Sequence, residues 1–359
     1  MKKLVAFLLM GVMLLGIAGC GQKQDVEKDP EGGAQAGQKI AYVTGTGGLG
    51  DKSFNDLGYE GIKRLMDEGI DCSVAEPKAV SEIEGIIRNF ADTGEYALII
   101  AMGGEAVDAL KSVTQDYPEQ PMMVMDGLAG VDTVKSVMFS QPDTGFLVGA
   151  YAALMLTEGN LPNARGEKLL GVVGGMDIPL IRSIIIGYEC GARFVDPEIQ
   201  VLTAYVGSWG DPGKGLELTQ SLYGQGADIV LQAAGGSGMG VLEASKNNNL
   251  YAIGYDGNQN SISPDTILAS GARGTAYMIY DTAKAALAGN FQGGDFVIGM
   301  KDDPTTSQLL LEDSNVTTPE SVKEKVEQIK EFLSTSEVAI PDDFADVDNY
   351  LSQVGTFQQ

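Results

Sequence analysis

Short apolar runs alternate with amphipathic stretches of helical period along most of this chain, and that alternation admits few architectures. Apolar runs at residues 40–44, 72–75, 96–102, 122–126 and 134–139 read as strands, and 169–173, 201–205, 228–232 and 251–255 repeat the theme. Between them, 81–92, 104–115, 143–156, 178–195, 212–223 and 237–246 read as helices. In the second helix Ile83, Ile86, Ile87 and Phe90 share a face, and Ser81 and Glu84 stand at the spacing of a capping box. The helix before it buries Leu57, Ile62, Leu65 and Met66. Strands that are apolar on both faces are covered on both faces, so the chain is a parallel, doubly wound α/β protein. Two sheets of about five strands each exceed one compact core, and two similar lobes joined by short hinge strands are expected.

The ends of the chain follow other rules. Residues 1–19 begin with two lysines and continue as a short apolar run, the pattern of a secretory signal and too short to favour a lasting membrane span. The run closes on Ile17-Ala18-Gly19-Cys20, which resembles a lipobox, so Cys20 is the expected site of lipidation. Residues 20–38 are polar and read as a flexible tether. An amphipathic helix is expected over 319–333, with Val322, Val326, Ile329 and Phe332 on one stripe. The composition of the acidic tail 346–359 assigns it no role.

A formal net charge of -25 repels nucleic acid and polyphosphates. The absence of histidine removes the commonest zinc sites and every Ser-His-Asp or Cys-His arrangement, so no catalytic group, metal or cofactor is expected. Cys72 and Cys190 sit in apolar surroundings and read as buried thiols, with pairing left open.

The loop after the first strand spells G-x-G-x-x-G at Gly45, Gly47 and Gly50. In a dinucleotide fingerprint the third glycine lies within the helix; here Asp51, Lys52 and Ser53 intervene before Phe54 and Asn55 open the helical run. Ser53 is the expected N-cap. Further glycines, carboxylates and aromatics collect at strand ends: Asp126, residues 174–177, Trp209, residues 235–240 and Asp256. In open parallel sheets that edge faces the ligand crevice. Phe54 and Trp209 are placed to cover the two faces of a flat ring, and Asp126 and Asp256 to accept from N–H donors or a vicinal diol. The competing readings are core aromatics for the first pair and turn or cap residues for the second.

Six stretches in order, GGLGDKSFNDLGYEGIKRL, GFLVGAYAALM, VGGMDIPLI, YVGSWGDPGKG, QAAGGSGMGV and YAIGYDGNQN, resemble the basic membrane protein family, whose best-defined branch is the purine nucleoside receptor. The resemblance spans residues 39 to 345. It implies a type I periplasmic-binding-protein fold with two Rossmann-like lobes, 39–147 with 257–300 and 148–256 with 301–345. It also implies a non-enzymatic, monomeric, lipid-anchored receptor on the extracytoplasmic face of the cell membrane. Such a receptor delivers a nucleoside to an ABC permease driven by its ATPase. The family's stacking phenylalanine falls on Phe54, with Asn55 beside it, and its second stacking aromatic becomes Trp209. Its base-contacting aspartate matches Asp126, its glycine-rich backbone contact Gly240, its ribose-binding aspartate Asp256, and its later lysine Arg273. Where the family often has an aspartate after the first strand, this chain has Gly45, which leaves the base or sugar preference open. Related lipoproteins bind riboflavin or other small molecules on the same scaffold, and a sensor without a transport role would share it. The rival from another class is a secreted NAD-dependent enzyme using Gly45, Gly47, Gly50 and an acid such as Glu76.

Overall fold

The computed structural model describes residues 38–357. The signal segment 1–19, Cys20 and all of the tether but its last residue lie outside them. The first half of the chain runs through β1 (Lys39–Val43), α1 (Phe54–Asp67), β2 (Cys72–Ala75), α2 (Val80–Thr93), β3 (Tyr96–Met102), α3 (Val107–Asp116), β4 (Met122–Met125), β5 (Val134–Phe139) and α4 (Gln141–Glu158). The second half repeats it with β6 (Leu169–Gly174), α5 (Pro179–Val195), β7 (Gln200–Tyr205), α6 (Pro212–Gly224), β8 (Ile229–Ala233), α7 (Gly238–Asn248) and β9 (Tyr251–Tyr255). Then come β10 (Ile267–Arg273), α8 (Thr275–Leu287), β11 (Gly294–Ile298), β12 (Ser307–Leu310), α9 (Glu320–Thr335) and α10 (Val347–Val354).

Two six-stranded sheets result, ordered β11-β5-β4-β3-β1-β2 and β12-β10-β9-β8-β6-β7. Every pairing is parallel except β12 with β10. The second sheet therefore repeats the winding of the first, β6 standing for β1 and β9 for β4. Alternation along β1 shows how the layers form. Ile40 and Tyr42 face the core shared with α1 and α8, while Ala41 and Val43 face the one shared with α2 and α3. All seven residues of β3 are buried, as a strand covered on both faces requires.

The lobe boundaries differ from those expected. The resemblance places residues 257–300 in the first lobe, yet β10 lies in the second sheet between β9 and β12. All seven of its residues are buried, so it needs neighbours on both sides. The chain returns to the first sheet only after Arg273, through α8 and β11. The chain also enters the second lobe sooner than residue 148, because α4 packs closely on α5 from Pro142 onward. Gly145 and Gly149 meet Ile184 and Tyr188, while Gly187 and Gly191 meet Pro142 and Phe146. A Cβ on Gly149 would stand 2.0 Å from the Tyr188 carbonyl oxygen, so glycine lets the two backbones touch. Three crossings result, near residues 140, 274 and 300, and two of them are bound together where Ser140 N–H donates to the Ile298 carbonyl at 2.9 Å and Met300 N–H to Asp143 at 2.8 Å.

The described part of the acidic stretch, residues 346–357, is not a free appendage. α10 buries Val347 and Tyr350 against the second lobe, and Phe357 N–H donates to the Phe194 carbonyl at 2.7 Å. The capping box expected at Ser81 and Glu84 is absent. The helix begins one residue earlier with Ala79 as N-cap, and Glu84 pairs with Arg88.

Candidate functional site

The loop between β1 and α1 is held by the protein's own carboxylates. Thr46 N–H donates to Glu105 Oε1, Leu49 N–H to Glu76 at 2.9 Å, and Gly50 and Lys52 N–H to Asp56 at 2.8 and 3.0 Å. Ser53, Asn55 and Asp56 N–H all donate to Asp51, at 2.9, 3.0 and 3.1 Å. A dinucleotide-binding turn offers such amides to a pyrophosphate. Here the amides of Thr46, Leu49, Gly50, Lys52, Ser53, Asn55 and Asp56 are occupied by negative charge, which disfavours a phosphate at this turn. Asp51, not Ser53, caps α1. Burial pushes the Asp51 carboxyl above its ordinary range, against the amides that hold it down.

Asn55 supports the loop from within: its Oδ1 accepts from Gly45 N–H at 2.8 Å and its Nδ2 donates to Asp51 at 2.9 Å. At Gly45, where the resemblance leads one to expect an aspartate, a Cβ would lie 3.0 Å from Glu105 Oε1. A glutamate on the neighbouring strand end thus brings a carboxylate to the same place. Sequence reading missed it because the two positions are 60 residues apart.

Behind the loop lies a buried ion cluster. Asp126 follows β4 and Asp256 follows β9, equivalent places in the two sheets, and both take a left-handed backbone, φ 56° and 68°. Arg273, the last residue of β10, reaches both. Its Nη1 donates to the two oxygens of Asp126 at 2.8 and 2.7 Å, and its Nε to Oδ1 of Asp256 at 2.8 Å. The Arg273 side chain is 2% exposed and that of Asp256 14%. Asp256 Oδ2 has no partner among the described residues, which leaves it free to accept from a ligand. The guanidinium carbon stands 5.6 Å from the centre of the Phe54 ring, so Phe54, Asp126, Asp256 and Arg273 meet in one place.

Two carboxylates share one guanidinium, so the cluster carries net negative charge. Burial pushes Asp256 up to about 6, with Asp126 and Asp51 adding to the push and Arg273 opposing it. Burial lowers the Arg273 guanidinium, but the two carboxylates outweigh this and leave it raised. Gln141 Nε2 donates to Asp126 at 3.3 Å, while Gln141 Oε1 and the Tyr255 hydroxyl are buried without a partner among the described residues. Gln141 has no sequence signature; only the crossing into α4 brings it here.

Trp209 stands on the other lobe. Its ring lies against Gly175 and Gly235, where a Cβ on Gly175 would come within 2.4 Å of it, and its own Cβ is 3.7 Å from the place of a Gly47 Cβ. Its Cβ thus borders the loop of the first lobe, while its ring packs on glycines of its own lobe. Gly240 does not join the site. It is buried inside α7, where a Cβ would stand 1.8 Å from the Pro212 carbonyl oxygen, so its role is the close contact of α7 with α6. Cys72 and Cys190 are both free, on different sheets' layers, and burial pushes their thiols up to about 11 and about 12. Among the described residues no cluster of acids or cysteines is placed to hold a metal, and no helix is long and apolar enough to cross a membrane.

Comparison with known proteins bears on this geometry. A family model described as ABC transporter substrate-binding protein, PnrA-like, matches residues 38–342. An uncharacterized lipoprotein of Pyrococcus abyssi is 30% identical over 84% of this chain and 76% of its own length. The ABC transporter nucleoside-binding protein BmpA of Lactococcus lactis is 27% identical over 78% of this chain and 83% of its own. A solved solute-binding protein of an ABC transporter system from Aeropyrum pernix superposes with a TM-score of 0.77 at 25% identity, covering 88% of this chain and 97% of that one. The two-lobed fold is that of type I periplasmic binding proteins.

Proposed function

This chain belongs to the family of PnrA-like ABC transporter substrate-binding proteins, whose members bind solutes rather than transform them, and from that premise we propose that its solute is a purine nucleoside held between the lobes. What supports this reading most is the meeting of Phe54 with two carboxylates from two different lobes. One of these, Asp256, keeps an oxygen with no partner among the described residues, free for a vicinal diol. Phe54 and Trp209 supply faces for the base, and Asp126 its polar edge. A net negative cluster and a loop whose amides are taken both disfavour phosphorylated ligands. The resemblance at Cys20 and the lipoprotein character of relatives support anchoring by lipid on the extracytoplasmic face, with delivery to a permease and its ATPase.

The soluble domain, residues 38–359, titrated calorimetrically with inosine, adenosine and guanosine, is expected to bind at least one with micromolar or better affinity. Binding to the native state alone then raises Tm with ligand concentration. A protein that binds riboflavin but no nucleoside, or nothing at all, contradicts the assignment.

A further inference from the structure

Asp51 takes over the capping of α1, and that releases the Ser53 hydroxyl for another bond. Ser53 is 2% exposed, and its Oγ donates to the Tyr255 carbonyl of the other lobe at 3.1 Å. Beside it, Gln259 Nε2 donates to the Lys52 carbonyl at 2.7 Å, again from one lobe to the other. The direction of this second bond is fixed by a chain of amides. Ala234 N–H donates to Gln232 Oε1 at 3.1 Å, which turns Gln232 Nε2 toward Gln259 Oε1 at 2.8 Å. Tyr255 N–H donates to that same Gln259 oxygen at 3.0 Å. Backbone groups at both ends of the relay leave one orientation, with the Gln259 donor aimed across the cleft. Gln232 and Gln259 are each 0% exposed. The carbonyl that receives the bond belongs to Lys52, a non-glycine residue at φ 53°, a sparsely populated conformation that turns it toward the second lobe.

We propose that Ser53 and Gln259 set ligand affinity by latching the two lobes shut, acting on the closure equilibrium and not on the ligand. This rests on the reading of the protein as a two-lobed solute receptor. Opening the cleft breaks both bonds. If only the closed form holds ligand tightly, apparent affinity follows the fraction closed. Each neutral bond shifts that equilibrium by about two- to tenfold. A latch scales the affinity of every ligand by one factor, whereas a residue touching ligand discriminates among ligands.

Ser53→Ala removes one bond and leaves the second lobe intact, since the Tyr255 carbonyl keeps its bond from Gln232 at 3.1 Å. Gln259→Glu keeps the acceptor for Tyr255 N–H and Gln232 but faces Lys52 with an oxygen in place of a donor. Small-angle X-ray scattering of the ligand-free soluble domain is expected to show a larger radius of gyration for both variants than for the natural sequence, at unchanged far-UV circular dichroism. Acidification is expected to restore compaction in Gln259→Glu, whose protonated carboxyl donates again. Affinities of Ser53→Ala for inosine and guanosine are expected to fall by the same factor, about two- to tenfold. An unchanged radius in both folded variants, or a loss confined to one nucleoside, overturns the latch. If no nucleoside binds, the functional assignment falls, and the scattering of ligand-free protein still decides the latch.

Discussion

Asp126 and Asp256 are non-glycine residues held at positive φ, at matching ends of β4 and β9, with one guanidinium between them. Backbone strain of this kind persists only where the surroundings fix it, and here Arg273 and the two strand ends do so. Burial raises Asp256 to about 6 against an ordinary value of about 3.9; the Arg273 guanidinium opposes this, and the Asp126 charge that shares that cation adds to the push. The sign follows from a folded value above the unfolded one. Asp256 contributes stability that is fully present below about pH 4 and lost as pH rises through about 6. If Asp256 holds the diol as proposed, nucleoside affinity is expected to run the other way, because the contact needs the ionised carboxylate, and one pH unit below that value the ionised fraction falls about tenfold. Calorimetric titrations between about pH 7 and about pH 5 are expected to show this loss, and Asp256→Asn to flatten it. A pH-independent natural protein contradicts the role of Asp256. Asp126 and Asp256 were legible as strand-end carboxylates, and their partner only by resemblance. Asp51 was hidden behind a better-looking cap, Ser53, because capping depends on which side chain the loop folds back on. Gly240 was legible as a special glycine, but a sequence does not say whether a missing Cβ makes room for a ligand or for another helix.

The alternation of apolar runs and helical stripes foretold the strands through β9 almost to the residue. It failed at β10, whose core, Ala269-Ser270-Gly271-Ala272, is small and carries little β propensity. Its neighbours, not its composition, make it a strand, and losing it from the reading shifted a lobe boundary. The seam between α4 and α5 shows the same dependence on partners. Four glycines spaced along two helices mean little until the backbones are seen in contact. Gly149→Ala brings a methyl to 2.0 Å from a carbonyl oxygen and is expected to destabilise the second lobe by about 1–3 kcal/mol, read as a lower urea midpoint. A midpoint unchanged or raised, as helix propensity alone predicts for alanine over glycine, contradicts this account of the seam.

For the molecule as a whole, duplication of one winding order places two sets of strand ends face to face, with three crossings joining the lobes among the described residues. Contacts from the first-lobe loop reach Trp209, Gly236 and Gln259 of the second, so the described form is a closed one. Closure of this kind is how both lobes come to contribute to one ligand. Trp209 is the chain's single tryptophan, and it stands at the cleft beside that loop, so its fluorescence reports on the site without labels. Titrated with inosine, adenosine and guanosine in turn, the natural soluble domain is expected to show a saturable change with at least one nucleoside, and Asp256→Ala to require far more of that nucleoside for the same change. A flat response to all three nucleosides, or equal titrations of the two proteins, would contradict a nucleoside held between the lobes by Asp256.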